Sequence, residues 1–446
     1  MKFTVKIDVK KFIESGNLRT LKTILEDQEP ATILEMIEDL PPEEKVIVFR
    51  LLPKELAAYV FSELEPDEQT KLLSLFKEDR IRDILSSMDP DDRAELFDEM
   101  PANVVKRLIS YLAPEDREIT MELLNYPPNS AGRLMTPEYV DLEENMSVDE
   151  ALRHVRETGK NKETIYTLFV IDRTRKLLGT VELKNLIFAD PEVKVRDIMK
   201  PDPMFVYTTA DQEEVAMIMK KYDLLVIPVV DSEERLVGII TIDDIVDVIE
   251  EEATEDIYKM ASMEMIQTSY FHTSPWDLFR KRVIWLILLL LLESINGNII
   301  KGFEEVLKGM VVVAAFIPTM IDTGGNTGSQ ISALIIRGFA LGELKLKDWW
   351  KVLLREAGMG LMMGGVLAAV LFLRAFIISH DLTVNLAVSI ALLTVVVYSN
   401  ILGAALPFLA RFLKIDPAMM AGPLLTTVID VTGIGMYFLI VKMIVG

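Results

Sequence analysis

The chain has 446 residues, half of them hydrophobic, and a formal net charge of −22 at pH 7. That length gives room for two or three domains, and the acidic balance argues against nucleic acid as a partner, since phosphates call for Lys and Arg. With no cysteine there are neither disulfides nor thiolate metal sites, and three scattered histidines (His154, His272, His380) do not make a zinc site.

The charge is unevenly placed. After Arg282, eleven basic residues stand against ten acidic, a net of +1, so residues 1–282 carry −23. The front therefore reads as an acidic soluble region and the back as a nearly neutral membrane region. Residues 1–6 contain no apolar run, so no signal peptide is expected.

Residues 12–126 hold a repeat. Apolar residues recur every twelve positions, at Leu40, Leu52, Leu64, Phe76, Met88, Met100, Leu112 and Leu124. Proline often follows, and acidic residues open the next segment, as in Pro66-Asp67-Glu68 and Pro90-Asp91-Asp92. Proline suits a first helical turn and carboxylates there complement the helix dipole. The pattern predicts an α-solenoid of short helices over residues 1–129, a scaffold without catalytic groups.

Residues 130–253 divide into two similar segments, 130–195 and 196–253. Met135-Thr136-Pro137 corresponds to Met199-Lys200-Pro201, and Asp172 to Asp231 and Gly179 to Gly238 keep one spacing of 59 residues. Each segment predicts strands and helices in alternation. This motif pair resembles tandem cystathionine-β-synthase-type (CBS) modules of α/β structure, a resemblance that implies a cytoplasmic regulatory pair and adenine-nucleotide binding.

The helix closing the second module is rich in acid. Asp244, Asp247 and Glu251 share one face, as do Glu252, Glu255 and Asp256, and like charges at that spacing repel. Two readings stand: a solvated face, or a divalent-cation site to which Asp211, Glu213 and Asp223 add. Oxygen-only clusters suit Mg²⁺, Ca²⁺ or Mn²⁺. Residues 254–278 are expected to form a connecting helix and linker, with Trp276 at the membrane interface.

Residues 279–446 predict five membrane spans, about 283–303, 308–336, 349–376, 382–411 and 417–445, each near or above the roughly 20 residues required. Ten basic residues (Arg280, Lys281, Arg282, Arg337, Lys345, Lys347, Lys351, Arg355, Arg411, Lys414) fall on one side and four (Lys301, Lys308, Arg374, Lys442) on the other. The positive-inside rule then puts the N-terminal region in the cytoplasm and the C-terminus outside. The second span contains Pro318, Gly324 and Gly325, and the fifth contains Pro417 and Gly422-Pro423, so helix breaks lining a cavity are expected in both. Glu293, in the first span, is assigned no role. Asp430 lies mid-span, where a charge costs roughly 2.5–3.5 kcal/mol on insertion scales. Asp322 is a candidate second pore carboxylate, although freed amides nearby could satisfy it. Thr426 and Gly433 share the helical face of Asp430.

The order of solenoid, CBS pair, acidic helix and five spans is similar to that of the MgtE family of magnesium channels, over essentially the whole chain. Thr323-Gly324-Gly325-Asn326-Thr327-Gly328-Ser329-Gln330, Asp416-Pro417-Ala418, Gly422-Pro423-Leu424 and Asp430-Val431-Thr432-Gly433 carry the resemblance. It implies a homodimer in the cell membrane, in contact with lipid, whose shared pore is lined by the second and fifth spans. At Asp430 the pore would bind hydrated Mg²⁺. The resemblance also implies Mg²⁺ sensing by Asp91 on the solenoid, Asp211, Glu213, Asp223, Asp244, Asp247, Glu252, Glu255 and Asp256, with Asp416 at the cytoplasmic mouth. Asp322, Gly325, Asn326, Gly328, Thr426 and Gly433 are the expected pore-lining positions. Mg²⁺ is the expected ion, with ATP at the CBS pair. A channel for Co²⁺, Mn²⁺ or Ni²⁺ and a membrane-anchored nucleotide sensor are the alternatives; no Ser/His/Asp or Cys/His set suggests an enzyme.

Overall fold

A computed structural model of the chain describes residues 8–266, 273–304 and 311–445; His272, Lys308 and the opening residues 1–7 lie outside that description. Two compact units divide at residue 249.

The first unit begins with short helices that include Pro42–Leu51, Lys54–Ser62, Pro66–Leu75, Glu78–Leu85, Pro90–Glu99, Ala102–Ile109 and Pro114–Asn125. Several start with proline and acids in the first turn. The twelve-residue apolar positions Leu52, Leu64, Phe76, Met88, Met100 and Leu112 are all buried at the helix junctions. The repeat thus places one core residue at each turn of the chain, and alternate helices pack against each other.

Two sheets follow. Strands Asp141–Glu143, Thr167–Ile171, Leu177–Glu182 and Lys200–Pro201 make one, and Val206–Tyr207, Val226–Val230 and Leu236–Thr241 the other. Their registers repeat: Val170 pairs with Gly179 and Val229 with Gly238. The modules also exchange their opening segments. Lys200–Pro201 pairs with the first sheet, and Thr136 bridges to Ile239 of the second. This exchange explains both matched glycines. A Cβ at Gly238 would lie 2.6 Å from Met135 Sδ, and one at Gly179 would lie 2.9 Å from Met199 Sδ.

Helix Ile242–Met260 leads into the second unit. Among the described residues, four helical segments there are long and apolar enough to cross a membrane: Pro275–Gly302, Leu346–Ile378, Leu382–Phe412 and Pro417–Val445. A fifth helix, Ile317–Ala340, is long enough but more polar. The expected interruption of the second span falls at residues 315–316, between the short helix Val311–Ala314 and this one, and not at the glycine pair. Pro318 sits in its first turn, where no amide is needed, and Gly324 and Gly325 remain helical. Their absent side chains serve packing instead. A Cβ at Gly324 would lie 3.0 Å from Ile429 Cγ2, and one at Gly403 would lie 2.5 Å from the Gly328 carbonyl. The last span is interrupted as expected, but at its start. A 3₁₀ turn, Pro417–Met420, gives way to Gly422 at φ +57°, a left-handed conformation that favours glycine, before helix Gly422–Val445.

Because the Gly403–Gly328 approach involves backbone that cannot swing aside, Gly403→Val should cost about 1–3 kcal/mol by overpacking. Thermal aggregation of the detergent-solubilised protein, read by size exclusion, should begin several degrees lower than in the parent.

Candidate functional site

Two groups of carboxylates stand out, one in each unit. In the first unit, helix Pro90–Glu99 presents Asp91 and Asp92 toward the start of helix Ile242–Met260 and the loop carrying Glu163. Asp91 has a buried Oδ1 without a hydrogen-bond partner. Burial pushes its carboxyl well above the usual range, and the charges of Asp244, Asp92 and Glu163 add to this. Asp244 accepts from the Thr241 hydroxyl at 2.8 Å and from the Thr241 amide at 3.3 Å, half of a helix-capping arrangement. Even so, burial raises it to about 7, with Asp243 adding to the effect. Glu163 also rises to about 7, and Asp92 to about 6, each chiefly through burial. Glu63, exposed at the end of its helix, feels Asp247 and Asp243. Acidic neighbours dominate the group: Asp244, Asp92 and Glu163 act on Asp91, and Asp243 and Asp92 on Asp244, while Arg93 on the same helix is the cation that feels Asp91.

In the second unit, the last turns of helix Ile242–Met260 carry Glu255, Asp256 and Lys259. Lys259 Nζ lies 2.6 Å from Glu255 Oε1 and 2.6 Å from Asp416 Oδ2. The other Asp416 oxygen caps the 3₁₀ turn by accepting from the Ala418 amide at 2.8 Å. Burial, then the charge of Asp416, raises Asp256 to about 6.

Deeper in this unit, Asp430 is 7% exposed and its Oδ1 has no hydrogen-bond partner. A Cβ at Gly325 would lie 3.7 Å from that oxygen and 3.2 Å from Thr426 Cγ2, so the bare backbone of Gly325 faces both residues. Glu293 and Asp322 act on Asp430 through space. The hydroxyls of Thr426 and Thr427 donate to the Pro423 carbonyl at 2.9 and 2.8 Å, which leaves their oxygens as acceptors. Asp322, Asn326 and Gln330 form an exposed polar stripe along helix Ile317–Ala340, at four-residue spacing.

Several expected positions serve other ends. Gly328 and Gly433 are buried against neighbouring helices: a Cβ at Gly328 would meet Ile429, and one at Gly433 would lie 3.6 Å from Val395 Cγ1. Asp211 caps helix Gln212–Tyr222 by accepting from the Glu213 amide at 2.9 Å, and Asp223 ends the same helix in a left-handed conformation. At 1.5 Å per residue they are some 15–20 Å apart, too far to share one ion within a chain. Glu252 and Asp247 have partners of their own. Among the described residues, no three His, Asp or Glu side chains are gathered as a preformed metal shell. Asp92, Asp243, Glu63 and Glu163 were not found by sequence reasoning. Asp92 could have been, from its place beside Asp91; Glu163 lies in a loop with no periodic signal.

Residues 317–440 match a divalent cation transporter family, residues 28–129 match the MgtE intracellular N domain, and residues 131–192 and 195–251 match CBS domains. A magnesium transporter MgtE of Thermus thermophilus is 39% identical over all of this chain and 99% of its own length. One from Bacillus subtilis is 36% identical over 71% of this chain and 70% of its own length. The crystal structure of the cytosolic domain of the Mg²⁺ channel MgtE in complex with ATP is 40% identical, covers 55% of this chain and all of its own, and superposes with a TM-score of 0.53.

The raised carboxylates have a measurable consequence. Their folded-state pKa values lie above the unfolded ones, so between about pH 4 and 7 the folded state binds more protons and stability falls as pH rises. In metal-free buffer, the segment through Met260 should melt at a higher temperature at pH 5 than at pH 8, by about 2–4 °C per kcal/mol of relieved repulsion. Asp91→Asn should raise the melting temperature at pH 8; an unchanged or lower value would contradict this electrostatic account.

Proposed function

The chain belongs to the MgtE family, and from that premise we propose that it is a Mg²⁺ channel of the cell membrane, closed from the cytoplasmic side by the ion it conducts. The observation that carries the proposal is Asp430: a carboxylate inside an apolar helix, with an unpartnered oxygen beside the bare backbone of Gly325. Mg²⁺ dehydrates reluctantly and keeps several waters. Such a hydrated ion needs hydrogen-bond acceptors around it, and Asp430, the Thr426 oxygen and the exposed stripe of Asp322 and Asn326 offer them. One carboxylate balances half of a divalent charge; the Asp430 residues of two chains balance all of it. A homodimer would also cover a polar stripe that lipid cannot solvate. Five spans follow if Ile317–Ala340 crosses the bilayer with the four apolar segments, and the loop charges then put the N-terminus in the cytoplasm and the C-terminus outside.

We read residues 1–129 and 130–253 as the solenoid and CBS pair that sense, 254–278 as the connecting stretch and 279–446 as the part that conducts; the transmitting helix, Ile242–Met260, runs across the boundary at 253. Asp91, Asp244 and Asp247 in one unit, and Glu252, Glu255, Asp256 and Asp416 in the other, are the sensing groups, within an acidic surface that includes Asp211, Glu213 and Asp223. The unpartnered Asp91 oxygen and the acidic neighbours Asp244, Asp92 and Glu163 suit a hard divalent cation. An ion shifts a gate only by binding one state better. Cations relieve the repulsion that opposes bringing the acids together, so they favour the closed state. ATP at the CBS pair is supported by the ATP-bound cytosolic domain of the relative. Transport is driven by the electrochemical gradient, without a chemical step.

Proteoliposome uptake across a divalent series tests the ion. Mg²⁺ should pass, and uptake of Co²⁺, Mn²⁺ or Ni²⁺ in its place would overturn the selectivity. Asp430→Ala should lower Mg²⁺ uptake by about tenfold or more, given the cost of keeping that charge in the membrane without use; uptake at the parent level would remove Asp430 from the pore. Neutralising Asp244, Asp247, Glu252 and Glu255 together should keep flux high at millimolar cytoplasmic Mg²⁺, and normal shut-off would sink the sensing assignment.

A further inference from the structure

The last turn of helix Ile242–Met260 meets the start of the last span at two consecutive residues. Lys259 Nζ bridges Glu255 of its own helix, at 2.6 Å, and Asp416 of the segment that leads into the span, also at 2.6 Å. The three side chains are only 25–32% exposed, so the bridge is partly shielded from water. At the next residue, the Met260 carbonyl packs directly on Gly422, where a Cβ would collide with it. Gly422 is the left-handed hinge from which helix Gly422–Val445 starts, two turns before Asp430. A displacement of the helix end therefore reaches the hinge of the last span without an intervening flexible link.

We propose that Lys259 is a tethered cation that pre-assembles this junction, holding Glu255 and Asp416 together so that a divalent ion acts on carboxylates already in place. Glu255 and Asp416 touch the ammonium, and Asp256 adds a third carboxylate within electrostatic reach of all three groups. The residual charge of the group is balanced by one divalent ion, whereas without Lys259 the same ion leaves a net negative charge. A lysine ammonium is a compact, strongly hydrated point charge, close in kind to the ion it accompanies. Pre-assembly lowers the ion concentration needed to shift a two-state equilibrium, because the ion no longer has to supply the ordering of the site. Lys259 is in this sense a positioning residue. Its effect on flux rests on the channel reading above; its effect on the junction does not.

The test uses the full-length protein. Because the chain has no native cysteine, Met263→Cys and Met419→Cys place a clean thiol pair. The two residues line one cavity of about 270 Å³ beside the junction. In Mg²⁺-free buffer, Lys259→Met should slow cross-linking of this pair by a short bismaleimide about three- to tenfold, the worth of a partly buried ion pair. Lys259→Arg should retain the parent rate, and saturating Mg²⁺ should restore it in Lys259→Met. In proteoliposomes, the cytoplasmic Mg²⁺ concentration for half-closure should rise by a similar factor in Lys259→Met and stay unchanged in Lys259→Arg. Cross-linking of Lys259→Met at the parent rate would overturn the proposal. So would a fall in the half-closing concentration, which would mark Lys259 as a competitor of the ion. If cross-linking responds and no variant conducts, the junction stands and the channel reading falls.

Discussion

Carboxylates held in poorly hydrated surroundings with too little positive charge beside them are the constraint on which this molecule turns. A buried charge is tolerated only when paired, hydrogen-bonded or neutralised. Asp430 has none of these on its Oδ1, and neither does Asp91. Around Asp91 acidic neighbours outweigh the one cation that feels its charge, Arg93, and burial raises Glu163 and Asp244 to about 7. Such groups are poised between taking a proton and taking an ion. The fold holds them in that condition by rigid means: a helical cap for Asp244, a packed helix start for Asp91 and a seam of small residues beside Asp430.

That seam is the structural counterpart of the charge. Gly324, Gly325 and Gly328 let helix Ile317–Ala340 lie close to helix Gly422–Val445 and helix Leu382–Phe412, and Gly403 deepens the same contact from the other side. Close backbone approach through small residues replaces the hydrophobic drive that lipid removes. It also leaves the polar stripe of Asp322, Asn326 and Gln330 turned outward from the single chain. Packing and polarity are thus sorted onto different faces of one helix, and the glycines that looked like helix breakers serve as spacers. The second span is interrupted ahead of Pro318, and the last at Gly422, where the connecting helix ends against it.

Much of this was legible in advance where a period or a forbidden residue carried the signal. The twelve-residue spacing of Leu52 through Leu112 predicted a chain of short helices, because each turn needs one buried apolar anchor. The 59-residue offset predicted two like modules, and the strand registers repeat with it. Asp430 announced itself by cost alone. What could not be read were juxtapositions. Glu163 joins Asp91 and Asp244 from a loop without pattern, Asp211 and Asp223 prove to be opposite ends of one helix, and Gly328 and Gly433 face neighbouring helices.

The chain's composition by itself determined the broad division: acid at the front, apolar spans behind, a repeat, a doublet and one costly carboxylate. These follow from local rules, since helix periodicity, proline placement and the price of a membrane charge depend on a residue and its near neighbours. Tertiary structure alone decided that Lys259 meets Asp416 across 157 residues, that Met199 and Met135 exchange modules to cover Gly179 and Gly238, and that Gly325 exposes its backbone to Asp430. Each of these depends on how close two distant segments come. Distance of that kind is set by the packing of whole helices and strands, which no short stretch of residues contains.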